Sequence, residues 1–433
     1  MSFLKVLGFD PAKHNVKTEI VAGITTFLTM AYILAVNPDI FGALEEMGMP
    51  KGAVFTATAL AAIVGTLVMS IYAKKPYALA PGLGLNAFFV YTVCLTMGYS
   101  WQFALTAVLI EGVIFIILTV TNVREAIINA IPKAMKSAVS AGIGLFIAFI
   151  GLVNAGIIVD DGGTIINLGT ITSGPALLAI VGLVITSVMM ILKVPGAMLI
   201  GIIVTAIIGI PFGITKFDGV VSSVPSVAPI FCKFEFHNIL SWDMIIVVFT
   251  FLFIDMFDTI GTVIGVSKKA NTMNPDGTIP GVKKVLMADA VATVWGAICG
   301  TSTTTTYVES ASGVAEGGRT GLTSFTVAIC FAIALFFAPV FLAIPSAATA
   351  PALILVGVMM MSSILDVDFN DFSECIPAYI TMIVMPLAYS ISDGIMLGMI
   401  SFVVLNALTG KFKKISVMMW ILAVLFVLRY CLL

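Results

Sequence analysis

Charged residues are scarce in this chain of 433 residues, because Asp, Glu, Lys and Arg together make up 10% of it whereas 60% is hydrophobic. A soluble domain usually carries about 25% charge, so the composition excludes a water-soluble enzyme. The net charge of −2 provides no long-range attraction for nucleic acid. The mean hydropathy of +1.14 predicts an integral membrane protein with many spans, whose surroundings are the lipid bilayer.

Residues that bind metals or activate nucleophiles are also few. His14 and His237 are the only histidines, and the six cysteines are scattered without a C-x-x-C pair. These numbers favour neither a metal site nor a disulfide framework. Ser302, Ser310 and Ser312 are candidate nucleophiles, but no His or Lys lies deep in the apolar runs to activate them. We therefore expect a protein that is not an enzyme and that uses no cofactor or metal.

Apolar runs recur along the chain at about the length of 20 residues that crosses a bilayer. They predict an all-α polytopic membrane protein whose fourteen transmembrane segments lie at 18–37, 53–73, 79–95, 102–121, 132–154, 175–192, 195–213, 243–266, 284–299, 302–315, 320–343, 347–364, 374–390 and 393–409. A shorter apolar run follows at 416–432. We expect this run to lie in the membrane interface rather than to cross.

Lysine and arginine are distributed unevenly among the loops. With a cytoplasmic N-terminus, the loop cations fall on the cytoplasmic side except for Lys51, Lys216 and Lys233. This is the positive-inside distribution of membrane proteins. It predicts a multi-pass protein of the plasma membrane, which in bacteria is the cytoplasmic or inner membrane, with its N-terminus in the cytoplasm.

Short matches relate the two halves of the chain. Residues 174–176 at the start of segment 6 resemble residues 376–378 of segment 13, and residues 196–199 of segment 7 resemble residues 394–397 of segment 14. Seven segments per half is an odd number, so the halves insert with opposite orientations. Inverted repeats of this kind are typical of transporters, whose binding sites lie near the midplane where broken helices meet.

Two stretches disfavour a continuous helix. Segment 3 contains Pro81, Gly82 and Gly84 within a few residues, and segment 10 begins with the threonine-rich run 301–306. Proline, glycine and β-branched residues favour an extended start. Because segments 3 and 10 are symmetry mates, we expect two short extended pieces that meet and direct two half-helices at one site. Close helix packing by small residues is the alternative explanation.

Carboxylates within the apolar segments are the strongest indication of function. Asp255 and Asp258 share one face of segment 8, and Glu309 follows the threonine run. An ionised carboxylate at the bilayer centre costs about 3 kcal/mol or more, so each needs to face the protein interior. Two neighbouring carboxylates do not both ionise readily, so one of them is expected to carry a proton. A polar contact between helices is the alternative for each, and Glu111 in segment 4 fits a proton relay and such a contact equally.

The motifs at 80–89, 251–261 and 300–318, with Met30–Leu34 in segment 1, resemble the adenine/guanine/hypoxanthine permeases, the AzgA-like branch of the nucleobase–cation symporter-2 family. The resemblance runs from about residue 3 to the C-terminus. It implies proton-coupled import of purine bases by two inverted repeats. It also implies a core domain of segments 1–4 and 8–11 and a gate domain of segments 5–7 and 12–14, hence the boundaries 1–121, 122–240, 241–343 and 344–433.

The resemblance also assigns residue roles. Asn86, Asp255 and Glu309 would contact the base, together with amides near Gly84 and Val308. Proton coupling would involve Asp258, Asp255 and Glu309. Secondary candidates are Glu111, Thr306, Tyr307 and Ser310.

The chemistry of the candidate residues suits a neutral heterocycle. A planar ligand needs apolar faces and a few fixed polar groups at its edge; ring N–H groups suit carboxylates, and ring nitrogens suit amides and Asn86. The alternatives are a transporter of xanthine, urate or uracil, and an ion channel whose pore the threonine run lines. The absence of Lys and Arg deep in the predicted segments disfavours an anionic substrate. The sequence leaves open H⁺ against Na⁺ coupling and a homodimer.

Overall fold

The computed structural model describes residues 2–121, 132–172, 174–217, 219–237, 239–270, 272 and 279–432. Within these ranges, nine helices are long and apolar enough to cross a membrane, and further apolar helices are shorter. The boundary predicted after residue 121 falls at the edge of 122–131, which lies outside the described residues.

Each predicted segment contains helix. Segments 1–7 contain the helices Val16–Met30 with Ile33–Phe41, Lys51–Val68, Leu83–Ala87, Trp101–Thr121, Lys133–Asn154, Gly174–Ile191 and Ala197–Gly209. Segments 8–14 contain the helices Trp242–Lys269, Val282–Cys299, Ser310–Ala315, Gly321–Ala334 with Ala338–Leu342, Ser346–Met361, Phe372–Leu387 and Ile391–Leu408. Wide helical turns at Met69–Ala73 and Phe88–Thr96 extend segments 2 and 3.

Segments 3 and 10 are broken, as predicted. The strands Leu79–Pro81 and Thr304–Thr306 pair antiparallel, with Ala80 facing Thr305. The amide of Gly82 extends this pairing with a 3.0 Å hydrogen bond to the carbonyl of Thr303. Non-helical backbone at membrane depth is tolerated only where protein groups satisfy it, and here the two broken segments satisfy each other.

The helices pack in two groups. Segments 1, 2 and 4 pack against segments 8–11, whereas segments 5–7 pack against segments 12–14. The groups meet where segments 1, 3 and 8 contact segments 5, 7, 12 and 14. Each group combines elements from both halves of the chain, as an intertwined repeat requires.

A short hairpin between segments 5 and 6 is absent from the sequence-based prediction. The strands Ile158–Asp161 and Ile165–Leu168 pair antiparallel. The carboxylate of Asp161 closes the turn by accepting hydrogen bonds from the amide and hydroxyl of Thr164, at 3.1 and 2.6 Å. Four-residue strands on an exposed loop carry little periodic signal, so hydropathy alone does not detect them.

The final helix, Val417–Leu432, covers the apolar run that is predicted to lie in the membrane interface. It packs against segment 14, and Nη1 of Arg429 near its end lies 3.2 Å from Oδ1 of Asp393 in the first turn of segment 14. The helix therefore runs antiparallel along segment 14 for about 24 Å. The helix thus packs along segment 14, and its position in the membrane interface stays a prediction.

Candidate functional site

A cavity of about 380 Å³ lies at the junction of the two helix groups. One wall comes from segments 1, 3, 8 and 10, and the other from segments 5 and 12. The lining residues are Tyr32, Gly82, Leu83, Gly84, Val139, Ser140, Ile143, Ile254, Asp258, Gly261, Thr262, Thr306, Tyr307, Val308, Glu309, Val356, Met359, Met360, Ser362 and Ser363. Both half-helices begin at this cavity, since Leu83 and Ser310 are the first residues after the paired strands and their short connections.

Glu309 is held at the cavity wall by a phenol from segment 1. The hydroxyl of Tyr32 donates a 2.6 Å hydrogen bond to Oε1 of Glu309. A second phenol secures the neighbouring strand, because the hydroxyl of Tyr307 donates a 2.6 Å hydrogen bond to the carbonyl of Pro81. Hydrogen bonds to segments 1 and 3 therefore fix the part of segment 10 that carries Glu309.

Asp258 is the second carboxylate of the cavity. It lies on segment 8, one turn from Asp255, and contributes to the lining together with Gly261 and Thr262. In the described part of the chain, no side chain donates a hydrogen bond to Asp258. Its oxygens are therefore available to a donor in the cavity.

Asn86 and Asp255 lie behind the cavity wall. Both are fully buried, and neither lines the cavity. The hydroxyl of Ser302 donates a short hydrogen bond to Oδ1 of Asn86, and the hydroxyl of Thr259 lies 3.0 Å from Oδ1 of Asp255. In this conformation, the two predicted contact residues therefore do not reach the cavity, and they hydrogen-bond within the protein behind its wall.

The secondary candidates divide in the same way. Thr306 and Tyr307 line the cavity, whereas Glu111 and Ser310 are fully buried behind it. Glu111 accepts a 2.6 Å hydrogen bond from Thr303, and Oγ of Ser310 accepts one of 3.0 Å from the amide of Ala78. Both groups therefore hold the extended pieces together.

Asp289 of segment 9 has a larger part in the site than its position near a segment end indicates. Its Oδ1 accepts hydrogen bonds from the amide and the hydroxyl of Thr306, at 2.9 and 3.1 Å. Its Oδ2 lies 2.9 Å from the hydroxyl of Thr259, which also lies 2.8 Å from that of Thr305. Asp289 therefore joins segments 8, 9 and 10 directly beneath the cavity.

The apolar wall opposite Glu309 and Asp258 is not predicted by polar sequence motifs. Val356, Met359 and Met360 of segment 12 face the cavity with Ile143 of segment 5. Flexible thioethers adapt to the faces of flat ligands. Residues of this kind occur throughout the sequence, so only the fold distinguishes those that reach the site.

The cavity is open toward one end of the molecule and closed toward the other. Its lining extends to Ser362 and Ser363, beyond the end of the segment 12 helix. At the opposite end, the carboxylate of Asp39 accepts hydrogen bonds of 2.6 Å from Ser346 and from Thr349. These two bonds tie segment 1 to the beginning of segment 12, so the two helix groups are closed against each other there.

No lysine, arginine or histidine occurs among the described residues that line the cavity. The described residues also contain no group of three or more His, Cys, Asp or Glu side chains arranged to hold a metal ion. The polar groups of the described lining are therefore two carboxylates, two phenols, a few hydroxyls and the backbone amides of the half-helices.

A comparison of solved structures identifies the fold. The transmembrane domain of the cyanobacterial bicarbonate transporter BicA matches with a TM-score of 0.64 and 17% identity, over 89% of this chain and 97% of that chain. At this identity the likeness concerns the fold alone. The predicted architecture of two inverted seven-segment repeats is confirmed.

Sequence comparisons identify the family. The model described as "Permease family" matches residues 17–397. The guanine/hypoxanthine permease PbuG of Bacillus subtilis is 45% identical over 98% of this chain and 98% of its own length. The adenine permease AdeQ of Escherichia coli is 41% identical over 96% of this chain and 93% of its own length. These relatives are permeases rather than enzymes, and this multi-pass membrane protein belongs to the same permease family.

Proposed function

We propose that this protein imports purine nucleobases by proton symport, with adenine, guanine and hypoxanthine as the substrate class. The observation that carries the proposal is the cavity itself, in which Glu309 and Asp258 face an apolar wall at the start of two half-helices. The names of the relatives support the same class of ligand.

The chemistry of the cavity suits a neutral purine. Its volume of about 380 Å³ lies within the range of roughly 300–1,000 Å³ typical of small-molecule sites. Ring N–H groups would donate to Glu309 and Asp258, while ring nitrogens and a carbonyl would accept from amides near Gly84 and Val308. The faces of the ring would pack between Ile254 and the thioethers of segment 12. Asn86 and Asp255 would act on the base through the wall they support.

The carboxylates support proton coupling. A proton bound within the group of Asp255, Asp258 and Glu309 would reduce the cost of moving these charges with the base through a low-dielectric barrier. A single proton moving down 100 mV supplies about 2.3 kcal/mol, which corresponds to roughly 50-fold accumulation.

The two helix groups would be the moving parts. In this scheme, residues 1–121 and 241–343 form the core domain and residues 122–240 and 344–433 the gate domain. With a cytoplasmic N-terminus, the cavity opens to the cytoplasm and the contacts of Asp39 close the outer side. Transport would then require the core to move against the gate, and a homodimer would hold the gate domains still.

Uptake of radiolabelled hypoxanthine, guanine and adenine tests the proposal in a bacterial strain that lacks its own purine permeases. Wild-type protein should give saturable uptake that rises as the external pH falls and does not depend on sodium. Glu309→Gln and Asp258→Asn should each reduce it at least tenfold, whereas Glu46→Gln, which changes an exposed residue, should not. Uptake unchanged by both cavity variants would contradict the site.

A competition panel separates the alternatives. If unlabelled xanthine, urate or uracil inhibits hypoxanthine uptake at a lower concentration than adenine or guanine does, the protein transports that nucleobase instead. Unitary currents in planar bilayers would indicate the ion channel instead.

A further inference from the structure

Segment 1 is interrupted beside the cavity, although its sequence contains no glycine or proline at that point. Its helix stops at Met30 and resumes at Ile33. The carbonyls of Ala31 and Tyr32 accept hydrogen bonds from the amides of Leu34 and Ala35, three residues onward, at 3.1 and 3.0 Å. Such a tight turn within a helix often marks a functional position. The side chain at this turn that reaches the cavity is Tyr32.

Tyr32 is buried, with 2% of its surface exposed, so its hydroxyl needs a partner within the protein. The partner is a carboxylate from the other half of the chain, Oε1 of Glu309 at 2.6 Å. A hydrogen bond to an ionised group is shorter and stronger than a neutral one. It also restricts a side chain that otherwise rotates about three bonds.

We propose that Tyr32 is the positioning residue for substrate recognition: its phenol fixes the Glu309 carboxylate so that Oε2 is presented to an N–H of the bound base. This inference rests on the proposed function and gives a role to Tyr32, which lies in the Met30–Leu34 motif but to which the resemblance assigns none. Substrate affinity therefore depends on a single hydroxyl of segment 1, while the movement of the core against the gate does not.

The direct test is Tyr32→Phe, which removes the hydroxyl and keeps the ring. The KM for hypoxanthine should rise about tenfold or more, the usual value of a hydrogen bond to a charged group, and Vmax should stay within about twofold. In purified protein the Kd for hypoxanthine should rise by the same factor. A role limited to packing would instead lower the amount of folded protein and leave KM unchanged.

Tyr77→Phe is the matched control. The phenol of Tyr77 is also buried, and its hydroxyl lies 2.8 Å from the hydroxyl of Ser267, away from the cavity. This variant should lower the melting temperature about as much as Tyr32→Phe does, with KM unchanged.

Glu309→Asp provides a second variant in case Tyr32→Phe folds poorly. It keeps the charge but draws the carboxylate one methylene away from the phenol, so KM should rise to a similar extent. Wild-type affinity in Tyr32→Phe overturns the inference, and if that variant does not fold, wild-type affinity in Glu309→Asp does so. In either case, base transport by the wild-type protein preserves the proposed function. Absence of base binding by the wild-type protein overturns the proposed function, and the inference with it.

Discussion

Gly84 and Ile143 face each other across the boundary between the two helix groups, so closely that a Cβ added at Gly84 would lie 2.7 Å from Cγ2 of Ile143. Gly84 is the second residue of the half-helix of segment 3 and Ile143 belongs to segment 5, and both line the cavity. The absence of a side chain at Gly84 therefore sets how closely the two groups approach.

Gly84→Ala should weaken transport by overpacking this boundary. A cost of about 1–3 kcal/mol is usual for such insertions, and it should reduce hypoxanthine uptake at least fivefold. Adding Ile143→Ala, which removes the opposing methyl group, should restore much of it. Gly162→Ala adds a Cβ that meets nothing within 4 Å and should behave as wild type. A double variant no better than Gly84→Ala would show that this contact is not the cause.

Asp289→Ala should loosen the strand of segment 10. It leaves the amide and hydroxyl of Thr306 without their acceptor, at a cost of about 1–3 kcal/mol for each buried group. We expect a melting temperature several degrees lower in detergent and little uptake. Asp289→Asn keeps an oxygen that can accept from the Thr306 amide and should lose less. Equal losses in the two variants would rule out the hydrogen bonds to Thr306 as the explanation.

Arg429→Met should destabilise the contact between the final helix and the two helix groups. Arg429 pairs with Asp393 at 3.2 Å and lies 3.9 Å from Asp243 of segment 8. Since the Arg429 side chain is only 10% exposed, its loss leaves two partly buried carboxylates without this cation. The melting temperature should fall, and adding Asp393→Asn should recover part of the loss. The exposed Lys413→Gln serves as the control, and a fall of the same size in that variant would remove any special role of Arg429.

Stability should depend on pH through Asp371, which caps the helix of segment 13. Hydrogen bonds from Lys414, Ser373 and Lys411 hold the pKa of Asp371 well below its usual range. A carboxyl whose pKa is lower in the folded state contributes stability above its usual pKa, near 4, and loses it as pH falls toward the folded value.

Asp371→Asn keeps the capping oxygen and removes the charge, so it isolates this effect. The difference in melting temperature between wild type and Asp371→Asn should be largest above about pH 5 and should narrow below about pH 4. A difference that stays constant from pH 7 to pH 3 would contradict the contribution of the charge.

Much of the site could be predicted because its signals are local. Pro81 and the run of threonines in segment 10 favour extended backbone, and both stretches form the paired strands. An ionised carboxylate is unfavourable in lipid, so Glu309 and Asp258 are expected to face the protein interior. Both line the cavity. The chemistry of single residues was enough for these inferences.

The rest depends on contacts between distant residues. Asn86 has the chemistry of a ligand contact, yet the hydroxyl of Ser302 lies close enough to bind its side chain behind the wall. Nothing in the sequence around Tyr32 shows that Glu309, 277 positions away, accepts its hydrogen bond. The sequence around Arg429 likewise does not show that its guanidinium contacts Asp393, 36 positions away. Each of these cases requires the packing of two segments to be known.

A structure determined with bound hypoxanthine tests the central claim most directly. The account predicts the ring in the cavity between Ile254 and the methionines of segment 12, with a ring nitrogen within about 3.2 Å of a Glu309 oxygen and Tyr32 still bonded to the other oxygen. A base bound elsewhere, or one whose nitrogens contact neither Glu309 nor Asp258, would contradict it.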